Sequence, residues 1–248
     1  APAFEAADQA PAQPAAIDLA RPAPVVPERA ASPRAQALLD RITRDFPACA
    51  QPMLTAGARR QIEFQDLAYA EDYLARMAAI RELDAPHGGE SKQWALTCPA
   101  ARYLATAMAY DDVIRVADLK TRGSRFERVR AEVGAKPDQL VYTTEFMHPR
   151  LEEICGTLPA GLGRWLERSK AFGGFVERRL GKGRRMQSGT LGGFLMLYAL
   201  AGMRRFRRRT LRHQIESEGL TQWLDLIADL APRDYDLGGE RVDCRRLV

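Results

Sequence analysis

The sequence predicts a predominantly all-α fold, a multi-helix globular domain around a central apolar helix. Three observations predict it. Apolar residues recur at helical spacing over most of the chain after Ser32. Helix-start residues stand ahead of several of these stripes. From Leu191 to Met203 nearly every residue is apolar or small and none is charged. Such a run reads as a helix buried on most of its faces, with Phe194, Leu197 and Tyr198 inside.

Residues 1–31 read as a Pro/Ala-rich linker, since seven prolines fall in the first 33 positions and little hydrophobic bulk accompanies them. The helical domain is expected over 32–248. The chain opens on Ala1 rather than Met, and we expect a piece of a longer polypeptide.

Ser32 caps a first helix with Pro33 at its first position, where the missing N–H costs nothing. Leu38, Leu39, Ile42 and Phe46 form its stripe, and Pro47 ends it. Met53, Leu54, Ala58 and Ile62 predict a second helix. Asp66 caps a third, with Ala70, Tyr73, Leu74, Met77 and Ile80 facing inward, and Pro86 to Gly89 form a loop. Trp94 to Leu119 predicts one amphipathic helix through Leu104, Met108, Tyr110, Ile114 and Ala117. Ser124 and Glu127 read as a capping box and Gly134 as the stop of the next short helix.

Leu140 to Phe146 favours an extended strand. With no strand partner in view, a connector or a minor hairpin is expected. Pro149 opens a short helix through Ile154. Leu162, Trp165, Leu166, Ser169, Val176 and Leu180 mark a longer one. Ile215, Trp223, Leu224, Ile227 and Leu230 mark the last.

Between Arg164 and Arg212 there are 14 Lys/Arg against two acids, a basic stretch on an otherwise ordinary protein. Six arginines, Arg204, Arg205, Arg207, Arg208, Arg209 and Arg212, follow the apolar run. They admit three readings: a solvated helix end, a docking site for an acidic partner or anion, or a nucleic-acid surface with Phe206 as a stacking ring. One aromatic among so many arginines is thin support for the last.

The four cysteines, Cys49, Cys98, Cys155 and Cys244, are widely spaced, which suggests reduced thiols in a cytoplasmic protein rather than a disulfide framework or a zinc site. The apolar run is too short for a membrane span, which takes roughly 20 residues. No dinucleotide, phosphate-loop, nucleophile-elbow or zinc-protease motif occurs, and no metal set is expected. His87, His148 and His213 are isolated. Asp112 and Arg115 stand three apart and can bond one another. A pocket around Tyr110, Asp112, His148 and Arg150 is a further candidate.

Several stretches resemble the C-terminal half of the indolepyruvate oxidoreductase beta-subunit family. They are Phe64-Gln-Asp-Leu-Ala-Tyr-Ala-Glu-Asp-Tyr-Leu, Met108-Ala-Tyr-Asp-Asp-Val-Ile-Arg-Val-Ala, Glu145-Phe-Met-His-Pro-Arg, Gly156-Thr-Leu-Pro, Ser188-Gly-Thr-Leu-Gly-Gly-Phe-Leu and Arg204-Arg-Phe-Arg-Arg-Arg-Thr-Leu-Arg-His. The match lies in their order and spacing, and none is a catalytic signature.

The resemblance implies an accessory, non-catalytic helical domain of an enzyme that oxidatively decarboxylates aryl 2-oxoacids to acyl-CoA, with ferredoxin as acceptor. It places thiamine diphosphate and iron–sulfur clusters in the alpha subunit and none in this segment. The implied partners are the alpha subunit, and beyond it ferredoxin or CoA.

Overall fold

A computed structural model describes residues 24–136, 138–139, 141–147, 150–180, 184–235, 238–239 and 242. The fold is predominantly all-α, with 11 α-helices and one two-stranded antiparallel ribbon among the described residues. Of the expected linker, residues 1–23 lie outside the described residues, and 24–31 form neither helix nor strand.

The first four helices build the core. Ser32 caps α1 (Pro33–Asp45), its side chain accepting from Ala35 N. α2 spans Gln51–Phe64 and α3 spans Leu67–His87, the latter capped by Asp66 accepting from Tyr69 N. α4 spans Thr97–Met108. Leu54, Phe64, Tyr73, Leu74, Met77, Leu104 and Met108 are all buried between them. At Gly57 a Cβ would lie 2.5 Å from the Tyr73 hydroxyl, so the bare backbone lets α2 close on α3.

Polar side chains inside this core close the end of α4. Gln61 Nε2 donates to Ala105 O at 2.8 Å and the Tyr69 hydroxyl to Met108 O at 3.0 Å. A helix leaves its last carbonyls short of internal donors; Tyr69 supplies one to Met108 O, and Gln61 adds a second donor to Ala105 O, which also accepts from Ala109 N.

Three expected boundaries differ. α3 continues through Pro86 to His87, where a loop was expected, and a short 3₁₀ turn Gly89–Lys92 follows. The helix expected over Trp94 to Leu119 is two helices: α4 stops at Met108 and α5 (Val113–Thr121) starts anew. Asp112 causes the restart, since its carboxylate takes the Arg115 backbone N–H at 2.6 Å as an N-cap. The helix expected from Leu162 to Leu180 likewise divides into α8 (Ala160–Glu167) and α9 (Lys170–Leu180).

α6 (Gly123–Glu132) has no side-chain cap, so the box read at Ser124 and Glu127 does not form. Gly134 does close the helix, at φ +62. β1 (Thr144–Met147) pairs with β2 (Arg184–Gln187), a partner 40 residues away rather than a hairpin neighbour. Glu145 on β1 bonds both Lys120 of α5 and Arg125 of α6. Burial alone would raise the Glu145 carboxyl, but these two cations bring it below its ordinary value. α7 (Leu151–Gly156) packs with α8 against α11 (Leu211–Leu230), whose Leu220, Trp223 and Ile227 enter the main core.

The expected central helix is not central. α10 (Leu191–Gly202) packs mainly on α5, to the side of the main core, and Leu197 alone on it is buried. Leu191 is 76% exposed, Leu195 52%, Met196 54% and Tyr198 63%. The physical reason is that α5, nine residues long, can cover only one side of a helix that is apolar all round.

Candidate functional site

Two features stand out: a polar-aromatic centre where the chain crosses itself, and the open face of α10 beside it. The centre forms where α10 runs into a 3₁₀ turn, Met203–Arg209. A 3₁₀ helix repeats every three residues, so Arg204 and Arg207 share the inner side, while Arg205, Phe206, Arg208 and Arg209 face out.

Arg207 is 1% exposed, the largest fully buried side chain among those described. Its Nε donates to Asp112 Oδ2 at 2.8 Å and its Nη2 to Asp112 Oδ1 at 3.2 Å, a bidentate pair. Nη1 donates to Phe64 O and, at 3.2 Å, to Gln65 Oε1. The guanidinium lies 4.1 Å from the Phe64 ring centroid. Arg207 therefore joins the end of α10 to the α2–α3 junction and to the start of α5.

The other arginines divide by role. Arg204 Nη2 donates to Ile62 O at 2.7 Å, its half-burial lowering the guanidinium pKa. Arg208 pairs with Asp72 across a gap of 136 positions and lies over Tyr69. Arg212 pairs with Glu216, one turn along α11. Arg205 covers the Phe206 ring at 4.9 Å, and Arg205 and Arg209 are exposed. The six arginines, read from the sequence as one cluster, therefore do not act as one: Arg207 is buried, Arg204 is half-buried, and Arg208 and Arg212 are ion-paired.

Of the expected pocket, Tyr110 and Asp112 do meet, but inside this centre. Tyr110 is 8% exposed and stands edge-on to Phe64 at 5.1 Å. Its hydroxyl bonds His213 Nδ1 at 3.1 Å, and His213 Nε2 faces Ser217 Oγ at 3.5 Å. Burial pushes the Tyr110 phenol far above its usual value, with Asp112 adding to it. Burial also lowers His213, and Arg208, Arg76 and Arg207 lower it further, so its imidazole is neutral at pH 7.

His148 lies outside the described residues, and Arg150 is an exposed residue at the start of α7 whose backbone N–H donates to Glu153. The centre holds three chain segments together through Arg207, Asp112 and Gln65, while Arg204 Nε is buried without a hydrogen-bond partner among the described residues.

The sequence reading missed His213 as a partner of Tyr110, 103 positions away. No local spacing signals that contact. Among the described residues no group of three or more His, Cys, Asp or Glu is arranged to hold a metal, and no helix is long and apolar enough to cross a membrane. An open cleft of about 400 Å³ lies beside Arg44, Asp45, Phe46, Arg81, Glu82 and Trp94. Its charges are spent on each other: Arg44 on Asp45, and Arg81 on Glu82 and the Phe46 ring.

α10 is held from below and open above. Thr190 caps it, and at Gly193 a Cβ would lie 2.2 Å from Gln187 O, so only glycine fits where the helix leaves β2. Phe194 stacks on Tyr198 at 6.0 Å and meets Phe126 of α6 at 6.2 Å. The outer stripe, Leu191, Gly192, Leu195, Met196, Tyr198, Ala199 and Gly202, is exposed and uncharged.

Fold and site together define an all-α scaffold that presents an exposed apolar helix running into an arginine-rich turn. Residues 50–248 match a family of unknown function, DUF6537. The chain belongs to that family. No curated protein and no solved structure matches it.

Proposed function

We propose that this chain is the docking domain of a cytoplasmic arylpyruvate oxidoreductase, an accessory C-terminal part of an indolepyruvate oxidoreductase beta subunit without catalytic groups of its own. Its task is assembly with the alpha subunit, which carries thiamine diphosphate and the iron–sulfur clusters. The assembled enzyme decarboxylates aryl 2-oxoacids oxidatively to acyl-CoA and passes electrons to ferredoxin.

The observation that carries the reading is the outer face of α10. A 12-residue helix is about 18 Å long. An exposed apolar stripe of that length, uncharged throughout, has the character of an interface core. The 3₁₀ turn that α10 runs into carries the exposed cations Arg205 and Arg209, so acidic groups on the partner fit at that end. The ordered stretches that resemble the beta-subunit family, two of which run through α10 and its arginines, supply the choice of partner.

The test is titration of the chain with an indolepyruvate oxidoreductase alpha subunit at low and high salt. Binding is expected to weaken with salt. Leu195→Glu with Met196→Glu should abolish it, and Arg205→Gln with Arg209→Gln should weaken it and flatten its salt dependence. No binding at low salt, or binding indifferent to all four changes, would overturn the reading.

A further inference from the structure

Among the described residues, the two non-glycine residues held at positive φ are consecutive and adjoin the open cleft. Gln93 and Trp94 both stand at φ 55, in the left-handed region. Holding each there costs about 1–3 kcal/mol, and such strain gathers at ligand sites. The fold enforces it: Gln93 N donates to Glu90 O at 3.1 Å, Trp94 N donates to Gly89 O at 2.7 Å, and Trp94 O accepts from Cys98 N at 2.9 Å. Behind the turn, the fully buried Asp84 carboxylate ties α3 to α4, accepting from Thr97 N at 2.8 Å and from the Thr97 hydroxyl at 2.7 Å. Trp94, half-buried, is thereby fixed in the wall of the 400 Å³ cleft that it shares with the end of α1 and the last turns of α3.

The ion pairs of this wall join sequence neighbours at the surface: Arg44 with Asp45, and Arg81 Nη2 with Glu82 Oε1 at 3.5 Å, where the Glu82 side chain is 70% exposed. Exposed pairs of this kind are worth about 0–1 kcal/mol, so a ligand can open one at little cost. Arg81 itself is anchored, its Nη1 donating to Asp45 O and its guanidinium lying 5.8 Å from the Phe46 ring centroid.

We propose that the cleft binds a free aromatic α-amino acid as its zwitterion. The ring rests against Trp94, the carboxylate accepts from Arg81 Nη2, and the ammonium donates to the Glu82 carboxylate. One exposed pair opens and two charge-assisted hydrogen bonds take its place. The wall carries two cations, Arg44 and Arg81, against two carboxylates, Asp45 and Glu82, a balance that suits a zwitterion better than an anion or a cation. A site of this volume lies within the range of roughly 300–1,000 Å³ that small-molecule sites occupy. The site uses no residue of α10 and is independent of the docking face.

The experiment titrates the isotope-labelled full chain with L-phenylalanine and follows the indole N–H signals of Trp94, Trp165 and Trp223 by NMR. Trp94→Asn, which keeps a residue tolerant of the left-handed region, identifies the Trp94 signal. That signal should move saturably with a Kd of about 1 mM, while those of Trp165 and Trp223 stay in place. Hydrocinnamate, which lacks the ammonium, phenethylamine, which lacks the carboxylate, and L-alanine, which lacks the ring, should each bind at least about tenfold more weakly. Glu82→Gln should weaken L-phenylalanine about tenfold and leave hydrocinnamate unchanged. The Ala85 backbone N–H, also in the wall, should respond in the wild type and fall silent in Trp94→Asn. No saturable movement of the Trp94 signal, hydrocinnamate or phenethylamine binding as tightly as L-phenylalanine, or indifference to Glu82→Gln would overturn the site.

Discussion

Removing the Arg207 guanidinium is the sharpest perturbation of the centre. Arg207→Met keeps most of the side-chain length and apolar stem but deletes every hydrogen bond of the head group. The Asp112 carboxylate, 4% exposed, would retain the Arg115 N–H and lose both guanidinium donors. Phe64 O and Gln65 Oε1 would each lose a donor in the interior. Leaving one partner of a buried ion pair alone costs about 3–5 kcal/mol, set against a total domain stability of about 5–15 kcal/mol. Urea unfolding followed by circular dichroism reads this directly as a fall in midpoint at unchanged slope. The double variant Arg207→Met, Asp112→Asn should recover about 1–3 kcal/mol relative to the sum of the singles, because the stranded charge is gone and the amide oxygen still caps α5. A loss under about 1 kcal/mol for Arg207→Met, or strict additivity in the double variant, would refute a paired and buried Arg207.

His213, lowered by burial and by three arginines, binds its proton more readily in the unfolded chain than in the folded one. Its contribution is complete above the unfolded value near 6.5 and is lost as pH falls, so wild type should lose stability relative to His213→Asn between pH 7 and 5 in urea titrations. Gly193→Ala should destabilise by about 1–3 kcal/mol through the clash with Gln187 O, read as a lower thermal midpoint. Gly192→Ala meets open space one residue earlier and should stabilise by up to about 1 kcal/mol in the same assay.

What the sequence discloses here is mainly local. Ser32 with Pro33, Asp66 and Gly134 act through bonds within a few residues, and their caps and stops are found where those residues stand. Leu38, Ile42, Tyr73 and Trp223 face the core because their helices have a polar side that fixes the phase. The apolar run 191–203 has no polar side, so its composition states that it avoids water and leaves open which faces find cover. Tyr110 to Asp112 interrupts an apolar stripe that would otherwise continue into α5. The break is held by Arg207, 95 positions away, and no window on the sequence contains both. The arginines read as one cluster because an α-helical continuation was assumed; the tighter 3₁₀ turn sorts them into buried and exposed sets. The Tyr110–His213 contact is a product of packing in the same sense.

Oxidative footprinting of Met196 and Tyr198, with buried Trp223 as the internal reference, tests the docking surface most directly. Both residues should be modified rapidly in the free chain and protected once the oxidoreductase alpha subunit is bound, with Trp223 slow throughout. Protection of Met196 and Tyr198 already in the free chain, or equal modification in both states, would contradict it.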